Sequence, residues 1–192
     1  MRVHESDVIR RRPSVVPKRY QAYSAELRED FHKRCGYCGK PESITTKGFE
    51  IDHFVPKSLM PEWINNYQNL VYSCYTCNRK KGKKWPTGDP NLHNDGVVGF
   101  VDPATDAFDE HVVRNEDGTI VGRTAVGTYM CRNVLRFHRR PMKTIWRAMQ
   151  ILTLKKQLNE KLSQLDDAQK EEYIRIDNEL ESLLNRVFET KE

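Results

Sequence analysis

Five cysteines stand at positions 35, 38, 74, 77 and 131, and four of them form two C-x-x-C pairs. A C-x-x-C turn aims two thiolates at one ion. Two such turns complete the tetrahedral four-sulfur shell of a structural zinc site, leaving no position open for water or substrate. Cys35, Cys38, Cys74 and Cys77 are therefore expected to hold one structural Zn²⁺ ion. A disulfide framework is a poor explanation, because the first sixteen residues, MRVHESDVIRRRPSVV, contain no apolar run of the kind a secretory signal needs. The expected location is cytoplasmic. Cys131, on an expected helix, is read as a buried free thiol rather than a ligand.

Between the two pairs lies Glu50-Ile51-Asp52-His53-Phe54-Val55-Pro56; Asn69 follows, and Asn78 comes directly after Cys77. The order C-x-x-C, D-H-x-x-P, N-L, C-x-x-C-N-x-x-K resembles the HNH endonucleases, also called ββα-metal or His-Me nucleases. It is most similar to the zinc-stapled branch that includes phage endonuclease VII. The runs D-H-F-V-P-K-S and C-N-R-K-K-G-K also resemble the HNH domain of CRISPR effector nucleases. The likeness covers about residues 34–84.

The resemblance implies a role for each of these positions. His53 would be the general base that takes a proton from the attacking water, a task suited to a side chain whose pKa lies near neutral pH. Asp52 and Asn78 would hold one catalytic divalent cation, Mg²⁺ or Mn²⁺, through hard oxygen ligands. Asn69 would tie the loop that orients His53, and the products would carry 5′-phosphate and 3′-hydroxyl ends. Each residue also has a plainer reading. His53 can be an ordinary half-buried histidine, Asp52 a turn residue, and Asn69 and Asn78 loop or cap residues. The plainer reading of the whole set is a zinc module that binds nucleic acid without cutting it. One geometric difficulty is visible at once: Asp52 and His53 are neighbours, and neighbours in a regular strand face opposite ways.

The charge is unevenly distributed. The net charge of +5 conceals a stretch at 88–118 with one basic and eight acidic residues, followed by 119–158 with nine basic residues and none acidic. Arg79, Lys80, Lys81, Lys83 and Lys84 directly follow Asn78, where they would meet a phosphate backbone. Arg136 and Arg140, with Arg132, Arg139 and Lys143, make a second candidate nucleic-acid surface that could equally be a docking face for an acidic partner. Residues 100–147 are faintly similar to the region downstream of the core in small stand-alone bacterial HNH proteins, some of which accompany an ATPase in anti-phage defence. This likeness implies a defence or restriction role and a possible partner ATPase; a homodimer is the other possible assembly.

These residues must be positioned by a small set of elements. Ser24 is expected to cap a helix of about ten residues bearing Leu27 and Phe31. Phe49–Val55 reads as a strand stopped by Pro56, and a short basic helix after Cys74 ends at Gly82. Val97–Val101 is a candidate strand, and Val112-Val113 with Thr119–Val121 a hairpin. Thr124 is expected to cap a helix reaching about Phe137. From Pro141 onward, apolar spacing and the Asp166-Asp167 break predict a helical hairpin.

The expected fold class is therefore α+β: a zinc-stapled, treble-clef-like ββα-metal core, an N-terminal helix, a middle β-hairpin and a C-terminal helical hairpin. Residues 1–20 form a basic extended or poorly ordered N-terminus, 21–90 the nuclease core, 91–137 an acidic strand-hairpin and basic helix, and 138–192 the helical hairpin. No run of residues is apolar and long enough to span a membrane. The function this implies is metal-dependent hydrolysis of DNA phosphodiesters, with RNA as a substrate of the same chemistry.

Overall fold

The structure, a computed structural model, describes residues 1–11, 13, 17–45, 47–162 and 165–189. Its centre is strand β1 (Phe49–His53) paired antiparallel with strand β2 (Leu70–Cys74), in a register running from Phe49↔Cys74 to His53↔Leu70. The side-chain period of two sends Phe49, Ile51 and His53 to one face of this ribbon and Glu50 and Asp52 to the other. β2 is wholly buried and runs straight into helix α2 (Tyr75–Lys81), with the extended backbone of Cys74 as its N-cap. Gly82, at φ +52°, ends α2 in a conformation that favours glycine.

Helix α1 (Ser24–Asp30) packs against β2 and buries Leu27 completely. It is shorter than the spacing predicts, and Ser24 is its first helical residue rather than its cap. A 3₁₀ turn at Tyr20–Tyr23 brings the chain in already coiled, leaving Ser24 at φ -58°, ψ -40°. His32 and Lys33 then adopt positive φ and turn the chain into the first cysteine pair.

The described residues of the N-terminal segment are packed. Val3 and His4 are buried, the His4 ring meets the Gly36 carbonyl at 2.7 Å, and the backbone N–H of Arg114 donates to the Met1 carbonyl at 3.0 Å. Arg10 clamps Asp102 with two hydrogen bonds, of 2.6 and 2.8 Å, and donates to the Leu70 carbonyl at 2.9 Å. Residues 1–10 are thus placed by tertiary partners rather than by local propensity.

Downstream, helix α3 (Ala107–His111) leads into strand β3 (Val112–Arg114), which pairs with strand β4 (Ile120–Gly122) as the predicted hairpin. The expected strand at Val97–Val101 does not form. Gly99 sits at φ +130° with Asn94 and His93 backbone atoms 2.4 Å from where a Cβ would stand, and the Phe100 N–H returns to the His93 carbonyl at 2.7 Å. The segment is a tight loop held by a single bridge, Asn94↔Gly99. Thr124 does cap a helix, its hydroxyl accepting from Gly127 N–H at 3.2 Å, but helix α4 (Ala125–Thr128) widens into a π-helical stretch at Tyr129–Val134 and stops at Arg136, whose φ is +51°. Helix α5 (Met142–Lys161) follows Pro141, and helix α6 (Asp167–Glu189) returns along it. Asp166 caps α6 by accepting from the Gln169 N–H at 2.9 Å, and Lys155 pairs with Asp177 across the two helices at 3.0 Å. Among the described residues no helix is long and apolar enough to cross a membrane.

The architecture is α+β, two small antiparallel ribbons among helices, and one residue joins its parts. Arg114 on β3 is 1% exposed. Its guanidinium donates to the Cys38 carbonyl at 2.7 Å and the Gly118 carbonyl at 3.0 Å, and lies 4.8 Å from the Trp146 ring on α5. It thereby fastens the first cysteine turn to the hairpin and to the C-terminal helices. Replacing it with methionine strands two buried carbonyls, each costing about 1–3 kcal/mol. Arg114→Met is expected to lower the thermal midpoint by several degrees, at roughly 2–4 °C per kcal/mol for a chain this size, with secondary structure by circular dichroism little changed. An unaltered melting curve would show that Arg114 fastens nothing.

Candidate active site and metal centre

The first cysteine pair lies in a turn fixed by backbone bonds: Cys35 N–H to the Lys40 carbonyl at 2.9 Å, and Gly39 N–H to the Cys35 carbonyl at 2.8 Å. Gly39 is at φ +66°, and a Cβ there would stand 2.4 Å from the Val3 carbonyl, so the turn requires glycine in order to receive the N-terminal segment. The second pair sits at the junction of β2 and α2. All four sulfurs are buried and lie within 4.8 Å of one another, with Cys38 Sγ and Cys74 Sγ 3.9 Å apart. A tetrahedron with Zn–S bonds of ~2.3 Å has edges of about 3.8 Å, so this shell suits zinc.

Arg140 shares in this centre. Its Nη1 donates to Cys77 Sγ at 3.1 Å. Burial works to lower its pKa, but the Cys77, Cys38 and Cys74 sulfurs outweigh that effect and hold the guanidinium charged. A four-thiolate zinc carries net charge −2, and a buried cation against it offsets part of that charge. Arg140 therefore does not belong to a freely exposed nucleic-acid surface, contrary to the sequence-based expectation; its basic group is directed inward, at sulfur.

On the far side of α2, β1 opens into a cavity of about 670 Å³. His53, Glu50, Asp52, Asn78, Arg79 and Lys83 are among its lining residues, with Tyr20 and Lys57. His53 is at the end of β1, its ring edge-on to Tyr20 with centroids 4.6 Å apart. Its Nε2 meets the Ile64 carbonyl at 2.9 Å. A carbonyl only accepts, so Nε2 carries the proton and Nδ1 holds the basic lone pair. Burial pushes the His53 pKa down, more than the Ile64 carbonyl and Asp52 raise it, which favours the neutral ring. Asn69 braces the loop after the strand from both sides. Its Oδ1 accepts from Val55 N–H at 2.8 Å and its Nδ2 donates to the Val55 carbonyl at 3.0 Å. It is not among the residues that line the cavity.

Asp52 and His53 project from opposite faces of β1, as strand alternation requires. Asp52 is 5% exposed, and its Oδ2 accepts from the Tyr37 hydroxyl at 2.6 Å and lies 3.2 Å from Lys81 Nζ. Burial raises the Asp52 pKa, while Lys81 and Tyr37 work to lower it. Asn78 gives its amide nitrogen to Glu50, at 2.5 Å. A carboxylate only accepts, which leaves Asn78 Oδ1 as the oxygen available to a hard cation. Asn78 Oδ1 and the second oxygen of Asp52 are hard donors of the kind that Mg²⁺ or Mn²⁺ takes. Such ions keep several waters and need only one or two protein oxygens.

Two residues that sequence reasoning passed over belong to this site. Glu50 orients Asn78 and pairs with Arg79 at 3.1 Å; standing two residues before Asp52, it shares that face of the strand. Tyr37 lies inside the first C-x-x-C, and nothing in its spacing signals a bond to Asp52.

The basic run after Asn78 divides by helical phase. Arg79, Lys83 and Lys84 are exposed, and Arg79 and Lys83 line the cavity. Lys81 corrects the expectation that the whole run meets phosphate: it is 0% exposed, and besides Asp52 its ammonium reaches the His53 carbonyl at 2.7 Å. Lys80 faces a second cavity, beyond Arg79. The other basic block disperses as well. Lys143 pairs with Asp117 at 2.9 Å, and the left-handed Arg136 is exposed but lines neither cavity.

Residues 35–84 match the family model for the HNH endonucleases. Over 70 residues the chain is 37% identical to the Septu protein PtuB of Bacillus thuringiensis, an alignment covering 34% of this chain and 27% of that protein. Over 49 residues it is 43% identical to the CRISPR-associated endonuclease Cas9 of Corynebacterium diphtheriae, covering 26% of this chain and 4% of Cas9. The chain thus spans only a minor part of either relative. No solved structure matches it. The matched segment opens at Cys35 and closes just past α2, and its limits coincide with the sulfur-stapled β1–β2–α2 unit: this chain carries an HNH endonuclease domain.

Proposed function

We propose that the chain is a metal-dependent endonuclease that hydrolyses DNA phosphodiester bonds, with His53 as general base. The observation that carries this reading is the His53 ring, pinned through Nε2 to the Ile64 carbonyl and lining one cavity with Asn78, Asp52 and two unburied cations. In the proposed step a water oxygen attacks phosphorus, its proton passes to His53 Nδ1, and the bond to the 3′-oxygen breaks, leaving 5′-phosphate and, once that oxygen takes a proton from solvent, 3′-hydroxyl. Arg79 and Lys83 hold the phosphate by charge. Asn78 and Asp52 would hold Mg²⁺ or Mn²⁺, whose charge stabilises the phosphorane-like transition state. Asn69 keeps the loop after His53 in place, and the four cysteines with zinc hold β1 against α2. RNA offers the same bond, so it belongs in the same assay. A single such site cuts one strand, so breaking a duplex takes two copies or two visits. The proposed setting is bacterial defence, supported by the similarity to the Septu protein and Cas9.

The competing reading is a zinc module that binds nucleic acid without cutting. It is favoured by one observation, that Asp52 Oδ2 is already engaged by Tyr37 and Lys81. Supercoiled plasmid incubated with Mg²⁺ or Mn²⁺ separates the two. The nuclease reading expects nicking that His53→Ala reduces by about 10²–10⁴-fold at unchanged zinc content. Wild-type activity in His53→Ala removes this residue as the base. Zinc analysis of the purified chain is expected to find about one equivalent, and Cys74→Ser to lose both metal and folding yield, because the staple joins two short segments. Well-folded, zinc-free protein would refute the assignment. Asn78→Ala is expected to weaken Mn²⁺ binding, followed by the paramagnetic signal of the free ion, and to leave zinc in place. Loss of zinc in that variant would mean the two ligand sets are wrongly divided.

A further inference from the structure

The second cavity, about 370 Å³, is lined by Lys47, Tyr75, Arg79, Lys80, Arg139 and Arg140, among others, and by no acidic residue. It brings together side chains from three separated stretches: the loop before β1, helix α2, and the turn leading into α5. Arg79 lines both this cavity and the one containing His53, so the two adjoin across a single side chain. Lys47 Nζ and Arg79 Cζ stand 4.7 and 5.0 Å from the centre of the Tyr75 ring. Tyr75 is half-buried, so part of its surface remains open. Among the described residues no carboxylate pairs with Lys47, Lys80 or Arg139. Unpaired cations set in a concave surface await an external anion. An aromatic ring held among cations is a stacking platform for a nucleobase.

We propose that this groove binds the nucleic-acid strand beyond the scissile bond, with Lys47, Lys80 and Arg139 on successive phosphates and Tyr75 against a base. This rests on the nuclease reading for the neighbouring cavity and extends it. The strand leaves the His53 cavity across Arg79 and follows the N-terminal half of α2 toward the α5 turn. An acidic protein segment would satisfy the charges equally well. The groove's continuity with the His53 cavity and the half-exposed aromatic side chain of Tyr75 favour the nucleic acid. Arg140, turned to Cys77, forms the floor and is not a phosphate contact.

The test uses the full chain and the double variant Lys47→Glu/Arg139→Glu, both positions being exposed. Zinc content and circular dichroism check that the variant is folded, and the milder Lys47→Ala/Arg139→Ala serves if it is not. Three probes are used: a labelled DNA oligonucleotide titrated across salt concentrations, bis(p-nitrophenyl) phosphate, which is too small to reach the groove, and a poly-glutamate peptide. The expected result is weaker DNA binding, with the log–log salt slope flattened by about 1.8, two contacts at ~0.9 each, and unchanged hydrolysis of the small diester. An unchanged slope overturns the proposal, as does loss of poly-glutamate binding with DNA binding intact, which would make the groove a protein-docking face. If wild-type protein hydrolyses neither DNA nor the small diester but the slope still flattens, the groove stands and the catalytic reading fails.

Discussion

Four buried sulfurs within 4.8 Å of one another are the constraint on which the rest of this molecule depends. β1 and β2 have five residues each and α2 has seven, too few to hold together on their own hydrogen bonds and burial. The cysteine turns lie before β1 and at the β2–α2 junction. Tying them to one ion sets the helix against the strand at a fixed distance. His53 and Asn78, separated in sequence, line one cavity because of that tie.

The staple has a cost, met by the elements outside the matched segment. Four thiolates around a divalent ion bring net negative charge into a buried place, and Arg140 comes from beyond the π-helical stretch to offset it. Arg114 supplies the other link, through the Cys38 carbonyl. The hairpin and the C-terminal helices are thus joined to the metal centre through two arginines, each bound to an atom of a ligand residue. The N-terminal segment closes the same region from the other side, entering over Gly39. The helical run that starts with α4 ends where Arg136 turns left-handed, four residues before Arg140.

The two faces of β1 divide the work. His53 meets Tyr20, in the 3₁₀ turn before α1, and the Ile64 carbonyl, and these two set its ring. Glu50 and Asp52 face α2, where Asn78, Arg79 and Lys81 meet them. Both sets reach the cavity because it lies along the strand's edge, spanning both faces. Lys81 sits beneath this arrangement, joining Asp52 to the backbone of His53. A buried Lys–Asp pair contributes little net stability, but removing either member strands the other charge, so it holds geometry rather than adding to the folding energy.

The four-cysteine cluster was legible in the sequence because it depends on residue type and short spacing, C-x-x-C twice. The α+β class, the hairpin through Asp117-Gly118 and the helical pair after Pro141 were legible for the same reason, since local periodicity and turn chemistry are written in consecutive residues. What consecutive residues do not encode is which way a cation faces once the chain is packed. Lys81 stands in an unbroken basic run and is buried; Arg140 stands in another and turns to sulfur; Glu50 carries no motif and orients Asn78. Each depends on a partner distant in sequence, and the energy that decides it, desolvation against a specific buried charge or acceptor, exists only after the tertiary structure has formed.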